Sequence, residues 1–286
     1  MAGKYELIDC ISEAKPNAIR NEDCFFFTND SAVVLDGATG LSALSFSPES
    51  DGNWFVNQFK FHAQNLKDKV SVVDNIEIIL SKILANLPEE TQLENSPAYQ
   101  LPSAGMVWAK FEDNSIDFYR LGDCKAFIKR GQRVQEVFPP STLEELDALS
   151  KKKMKEGIQN GLSSIEARHA ILPTLRANRS KMNKLNGYGA LSLSLDSLNF
   201  IEKRTLKVNS GDQILLMTDG FYAQVETYNM ITYEKLFSEI EQKKSGVLLK
   251  KMRSLELNDK NLHTFTRLKP SDDATSVLLR IKNSYD

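Results

Sequence analysis

Acidic residues recur beside short apolar stretches at five places: Glu22-Asp23, Asp36-Gly37, Gly122-Asp123, Asp219-Gly220 and Asp272-Asp273. A carboxylate held against an apolar strand is costly to bury unless it is paired, hydrated or bound to a cation. Oxygen ligands on their own suit hard divalent ions such as Mg²⁺ or Mn²⁺, whereas zinc recruits His or Cys. The only histidines, His62, His169 and His263, lack a His-x-x-x-His spacing, which disfavours a zinc hydrolase. Any single Asp-Gly is commonly no more than a turn. Five acidic positions at strand ends form a pattern that one turn does not.

Those positions must be held by rigid elements, and the chain has the means to build them. With 286 residues, 41% of them hydrophobic, it can bury one large core or two modest ones. The acidic signals run from Asp23 to Asp273, which favours one domain over 1–286. Cys24–Phe27 and Ala32–Leu35, joined by Asn29-Asp30-Ser31, predict a hairpin of two acid-ended strands. Two helices are expected between Trp54 and Leu87. The second is marked by Val72, Ile76, Ile79, Leu80, Ile83, Leu84 and Leu87 at helical spacing, with Pro88 as its stop. Gly105–Phe111, Ser115–Leu121, Lys125–Lys129 and Arg133–Val137 read as an antiparallel meander, and Gly189–Leu195 and Gln213–Met217 as further strands. Helices around Tyr233–Gln242 and Gly246–Leu257 precede a last strand, Thr275–Ile281. This order does not alternate as a doubly wound parallel fold would, so an α+β sandwich of sheets with helices outside is expected.

The net charge of -2 gives no bias toward nucleic acid or membrane. The start of the chain lacks a basic segment followed by an apolar run, and no stretch approaches the ~20 apolar residues of a membrane span. A soluble, cytoplasmic protein is expected, with no nucleic-acid or membrane partner. Cys10, Cys24 and Cys124 fit buried free thiols better than a disulfide framework.

Six short motifs now occur in a fixed order: Arg-Asn-Glu-Asp (20–23), Asp-Gly-Ala-Thr-Gly (36–40), Ser-Ala-Gly (103–105), Leu-Gly-Asp-Cys (121–124), Gly-Asp-Gln-Ile-Leu-Leu-Met-Thr-Asp-Gly (211–220) and Ser-Asp-Asp-Ala-Thr-Ser-Val (271–277). In this the chain resembles the PPM (PP2C-type) protein phosphatases, in a divergent bacterial form. The resemblance implies a four-layer αββα sandwich of two antiparallel sheets flanked by helix pairs. It also implies hydrolysis of phosphoserine and phosphothreonine in protein substrates by a water activated between two Mg²⁺ or Mn²⁺ ions. By that resemblance Asp36 bridges the ions, the Gly37 carbonyl completes one sphere, and Asp219 and Asp272 hold the first ion. Asp23 lies near the second, Glu22 acts through water, and Asp123 corresponds to a ligand of a third, weaker ion. Asp273 stands where the family usually has Asn and is expected beside the ligands. No protein nucleophile is needed, so Cys124 is expected to be a packed thiol.

The chain departs from the family pattern at several points. Ala38 takes the place of a His that often follows the bridging Asp, and Ala223 that of an Asp tied to the third ion. Ala18 stands where a phosphate-gripping Arg usually lies. Arg20, two residues on and on the same face if the segment is a strand, is its expected substitute, with Lys15 as the alternative. Between 139 and 188 the usual short flap is replaced by a basic, flap-like insertion, in which 151–184 holds nine Lys or Arg and two Glu. A solvated helical surface is the plain expectation for such a run, a basic lid for acidic phosphorylated substrate the sharper one. Two rivals to an active protein phosphatase stay open: a pseudophosphatase serving as a scaffold, and a phosphatase of a small phosphorylated metabolite.

Overall fold

Alternation of side chains decides what the strands build. In the computed structural model, which describes residues 4–42, 45, 47–48, 50–64, 66, 70–87, 93 and 96–282, β1 is Tyr5–Glu13, β2 Asp23–Phe27 and β3 Ser31–Ala38. Along β3, Val33 and Leu35 enter one core while Ala32 and Val34 enter another. A strand with both faces apolar is a central strand between two layers.

The first face is covered by helices α1 (Asp51–Ala63) and α2 (Val72–Ala85). Ser50 and Ser71 cap them by accepting from the backbone N–H of Asn53 and Asp74. Phe55, Val56 and Phe59 of α1 and Ile76, Ile79, Leu80 and Ile83 of α2 form the stripe expected from the helical period. Pro88, the expected stop, lies outside the described residues.

The meander follows as β4 (Ser103–Phe111), β5 (Ser115–Leu121), β6 (Lys125–Arg130) and β7 (Arg133–Glu136). Gly122 makes the sharp turn between β5 and β6 with φ +79°, a left-handed conformation that favours glycine. Two long helices then pair, α3 (Thr142–Gln159) and α4 (Ser164–Arg179). Each opens with a capping box, Ser141 with Glu144 and Ser163 with Glu166. After them come β8 (Leu191–Ser192), β9 (Glu202–Lys207), β10 (Gln213–Met217), α5 (Asp219–Glu226), α6 (Tyr233–Glu241), α7 (Ser245–Asn258) and β11 (Ala274–Ile281).

The strands make two sheets, ordered β1-β11-β10-β6-β7 and β2-β3-β4-β5-β9, with β8 on β4. Every pairing between these strands is antiparallel. Their inner faces meet through Val34, Val107, Ile128, Leu216 and Val277, and α6 and α7 cover the outside of the first sheet through Phe237, Ile240, Leu249 and Met252. Helices, sheet, sheet, helices is the α+β sandwich expected above.

Some elements differ from the sequence expectation. The strand expected over Gly189–Leu195 shrinks to Leu191–Ser192. β1 and β9 were not anticipated, since Tyr5–Glu13 and Glu202–Lys207 are edge strands with much of their surface exposed. Such edges carry polar residues and lack a clean alternation. Residues 14–22 are turns and bends with Asn17 at φ 65°. Ala18 and Arg20 therefore do not share a strand face.

Candidate active site

The same alternation that puts Ala32 and Val34 between the sheets puts Asp36 there too, at the end of the stripe. Asp23 of β2 is its direct cross-strand partner, and Gly105 of β4 flanks it on the other side. Like charges directly opposite one another destabilise a sheet. The second sheet contributes from the facing ends: β10 runs out at Met217 and α5 begins on Asp219, while Asp272 precedes β11. The start of α5 lies so close to the 272–273 backbone that a Cβ on Gly220 would stand 1.8 Å from the Asp273 carbonyl oxygen. Only glycine admits that approach.

Thr218 joins the two sheets at this point. Its hydroxyl donates to Asp23 Oδ2 at 2.7 Å and accepts from the Thr275 N–H at 3.0 Å. Glu22 accepts from the hydroxyls of Thr39 and Ser50, both at 2.5 Å, and the Gly37 N–H donates to the Glu22 carbonyl at 3.0 Å. Asp273 is sealed by Lys15, whose backbone N–H and ammonium donate to its two oxygens at 2.8 and 2.9 Å.

These groups border a cleft of about 980 Å³. Asp36, Asp123, Asp219 and Asp272 line it, and Asp23 lies just beneath, 5% exposed. Burial, reinforced by Asp272, Asp273 and Asp219, holds the Asp23 carboxyl well above the usual carboxylate range against the Thr218 hydrogen bond. Burial and then Asp23, Asp219 and Asp123 do the same to Asp36. Asp123 is pushed up to about 8 by burial, Asp219 and Asp147. Burial raises Asp272 to about 6 although Lys269 pulls the other way. An oxygen-only set whose members raise one another in this manner fits a hard divalent cation. Among the described residues no three acidic, His or Cys side chains already close on one point as a finished ligand set. Thr218, Lys15 and Lys269 hold individual carboxylates instead.

One wall of the cleft is the α3–α4 pair, which sequence reasoning treated as surface or lid. It is both. Lys152 and Lys153 are exposed, while Lys151 and Arg168 face the cleft with Asp147 between them. Met154, Ile158, Ala167, Ile171 and Leu175 pack the pair against Leu262. Lys125, 4% exposed, ties the start of α3 to the sheet through Glu144 at 3.2 Å.

Arg179, at the end of α4, turns inward and fastens the segment after Asp36-Gly37. It donates to the carbonyls of Thr39 at 2.7 Å and Ala38 at 2.8 Å, and to the Ser103 hydroxyl at 2.9 Å. Nothing in its local sequence separates it from the surface cations around it.

Arg20 lies in the exposed bend before β2 and is absent from the cleft wall, whereas Lys15 lines it. Ala38 and Ala223 both border the cleft and offer no side-chain donor there. Cys24 and Cys124 are buried, and burial pushes both thiols up. A thiol in that state is no nucleophile. A separate cavity of about 330 Å³ near Asp30 and Asn75 contains no carboxylate cluster. Among the described residues no helix is long and apolar enough to cross a membrane.

The family profile described as Protein phosphatase 2C matches residues 15–253. Among curated proteins no sequence matches. The fold is similar to the Mycobacterium tuberculosis serine/threonine phosphatase PstP/Ppp, with TM-score 0.55, 16% identity and 98% of each chain covered. It is likewise similar to the PstP catalytic domain in complex with two manganese ions, with TM-score 0.54, 14% identity and 98% of each chain covered. PppA of Pseudomonas aeruginosa, described as a regulatory component of T6SS, aligns with TM-score 0.57 and 16% identity over 97% of each chain.

Proposed function

Because the chain belongs to the protein phosphatase 2C family, we propose that it is an active, metal-dependent phosphatase of phosphoserine and phosphothreonine in proteins. The observation that supports this most is the Asp23–Asp36 cross-strand pair at the end of the inter-sheet core, facing Asp219 and Asp272 across a cleft. A protein with no need for a cation has no reason to hold mutually repelling carboxylates there.

In this proposal Asp36 is the shared ligand, with the Gly37 carbonyl beside it. Asp219 and Asp272 would hold the first ion, Asp23 would lie near the second with Glu22 acting through water, and Asp123 would serve a third, weaker one. When bound, Mg²⁺ or Mn²⁺ supplies a water of lowered pKa and neutralises charge on the phosphoryl oxygens. The protein's own part is to orient. Thr218 fixes the rotamer of Asp23, Arg179 fixes the backbone beside Asp36, and Lys15 keeps Asp273 out of the ligand set. Lys151 and Arg168 present positive charge to an incoming phosphorylated segment. Arg20 serves as a phosphate grip only if it swings in from its bend, while Lys15 is already in place.

Residues 1–286 work as one catalytic domain, with 139–188 as its insertion; β1 pairing with β11 brings both ends of the chain into one sheet. The scaffold alternative has one observation in its favour, the Lys269 ammonium on Asp272. Assaying a phosphothreonine peptide and a panel of small phosphorylated metabolites with Mn²⁺ tests the proposal. Preference for the peptide supports it, and turnover of metabolites alone would replace it.

A further inference from the structure

Of the lysines that line the acidic cleft, Lys15 and Lys269 pair with neighbouring carboxylates, Asp273 and Asp272, and the two pairs differ. Lys15, 31% exposed, pairs with Asp273, whose side chain is 2% exposed, so the carboxylate of that pair is closed to water. Lys269 pairs with Asp272 in the open: their side chains are 48% and 18% exposed, because Lys269 lies within the cleft rather than beneath it. Its place is fixed by the loop that bears it. Arg267 donates to the Pro270 carbonyl at 3.0 Å and to Asp259 Oδ2 at 2.6 Å, and Arg253 donates to the Asp272 carbonyl at 2.7 Å.

We propose that the Lys269 ammonium is a built-in cation of the carboxylate cluster, occupying charge space that a divalent ion must take, so that metal uptake displaces Lys269 and is weakened by it. Three observations carry this. Lys269 contacts Asp272, one of the carboxylates assigned to the first ion. Asp219 and Asp36, the other two, line the same cleft as Lys269. Finally, Arg253 and Arg267 hold the loop that places Lys269 beside Asp272. Competition is by charge, since the ammonium stays protonated throughout the working pH range. Because water reaches the pair, the contact is exchangeable rather than a permanent cross-link. The proposal rests on the metal-dependent reading of the site.

Calorimetric titration of the full chain with MnCl₂ tests it. Lys269→Met keeps the apolar stem and removes the charge, and Lys269→Arg keeps the charge. Lys269→Met is expected to bind Mn²⁺ about tenfold more tightly than wild type, within the usual range of coupling between two ligands of one site. Lys269→Arg should stay within about twofold of wild type. Without metal, Lys269→Met should melt below wild type and gain more on adding Mn²⁺. Lys269→Gln gives the same comparison if the Met variant does not fold. Unchanged or weaker Mn²⁺ binding in the uncharged variants, with wild type binding normally, overturns this proposal alone. Failure of wild type and variants alike to take up Mn²⁺ overturns it together with the proposed function.

Discussion

The floor and the wall of the cleft are built on different physical terms. The floor is set by backbone register: Asp23 opposite Asp36, Gly105 beside them, Thr218 reaching across from the other sheet. Asp23 and Thr218 are buried and Asp36 is half-buried, and desolvation and mutual repulsion raise the pKa of both carboxyls. The wall is a helical hairpin held by a small apolar cluster, and its cleft-facing cations, Lys151 and Arg168, are half-buried. A charge fixed by two sheets can do chemistry that needs sub-ångström placement, whereas a charge on an appended helix pair suits attraction and recognition. The floor should therefore be intolerant of substitution and the wall forgiving.

The sharpest way to break that contrast is at the floor. Asp36→Asn and Asp219→Asn should each lower turnover by well over 100-fold, beyond the roughly 10–100-fold typical of groups that only support a metal ligand. Both should remain folded, because removing one of several repelling carboxylates relieves the metal-free state. Turnover and melting curves measured together check this; a variant that keeps wild-type turnover removes its residue from the centre.

Arg179 joins the two regions, so its loss should have an intermediate effect. Arg179→Met leaves the carbonyls of Ala38 and Thr39 without their donor and should destabilise the fold by about 1.5–3 kcal/mol. Mn²⁺ affinity should fall about 10–100-fold with it. Chemical denaturation and metal titration would separate the two effects. Wild-type values for both would make Arg179 a bystander.

The pH response isolates the floor. Asp23, Asp36 and Asp123 have folded-state pKa values raised above their unfolded ones, so the folded chain binds more protons in the window from about 4 up to about 8. Stability of the metal-free chain should consequently fall as pH rises through that window. With Mn²⁺ the ligands are held ionised, and the trend should invert. Melting temperatures in EDTA and in Mn²⁺ from about pH 5.5 to 8.5 test both signs, and an EDTA curve that climbs with pH would contradict the burial argument.

The smallest effect belongs to the wall. Lys151→Ala with Arg168→Ala should raise KM for a phosphopeptide several-fold and should be weakened by salt, since exposed charges are screened over about 8–10 Å. A small aryl phosphate should be nearly unaffected, as should the phosphopeptide in Lys152→Ala with Lys153→Ala. Equal losses for both substrates would mean damage to the fold. Arg20→Ala, set beside Lys15→Ala, decides which cation meets phosphate: the variant with weakened inhibition by inorganic phosphate identifies it.

The same contrast explains what the sequence made legible. Strands ending in Asp were readable because period-two alternation and burial act on neighbouring residues, as at Val33–Asp36 and Gln213–Met217. The helical stripe of α2 was readable for the same local reason. Edge strands β1 and β9 were not, since their pairing partners, β11 and β5, lie far away in sequence and neither strand has a face of regularly alternating buried residues. Arg179 and Lys269 were missed because their roles depend on the residues they reach, not on those beside them. The strand assumed for Ala18 and Arg20 failed on a local signal, the Pro16-Asn17 turn.

The central claim, that the carboxylate floor works through divalent ions, has a direct measurement. The chain is stripped with EDTA, its hydrolysis of a phosphothreonine peptide is recorded, and Mn²⁺ is then added back while binding is followed by calorimetry. Activity should be absent without metal, should return in step with metal occupancy, and should not return in Asp36→Asn. Full turnover in excess chelator would contradict the account.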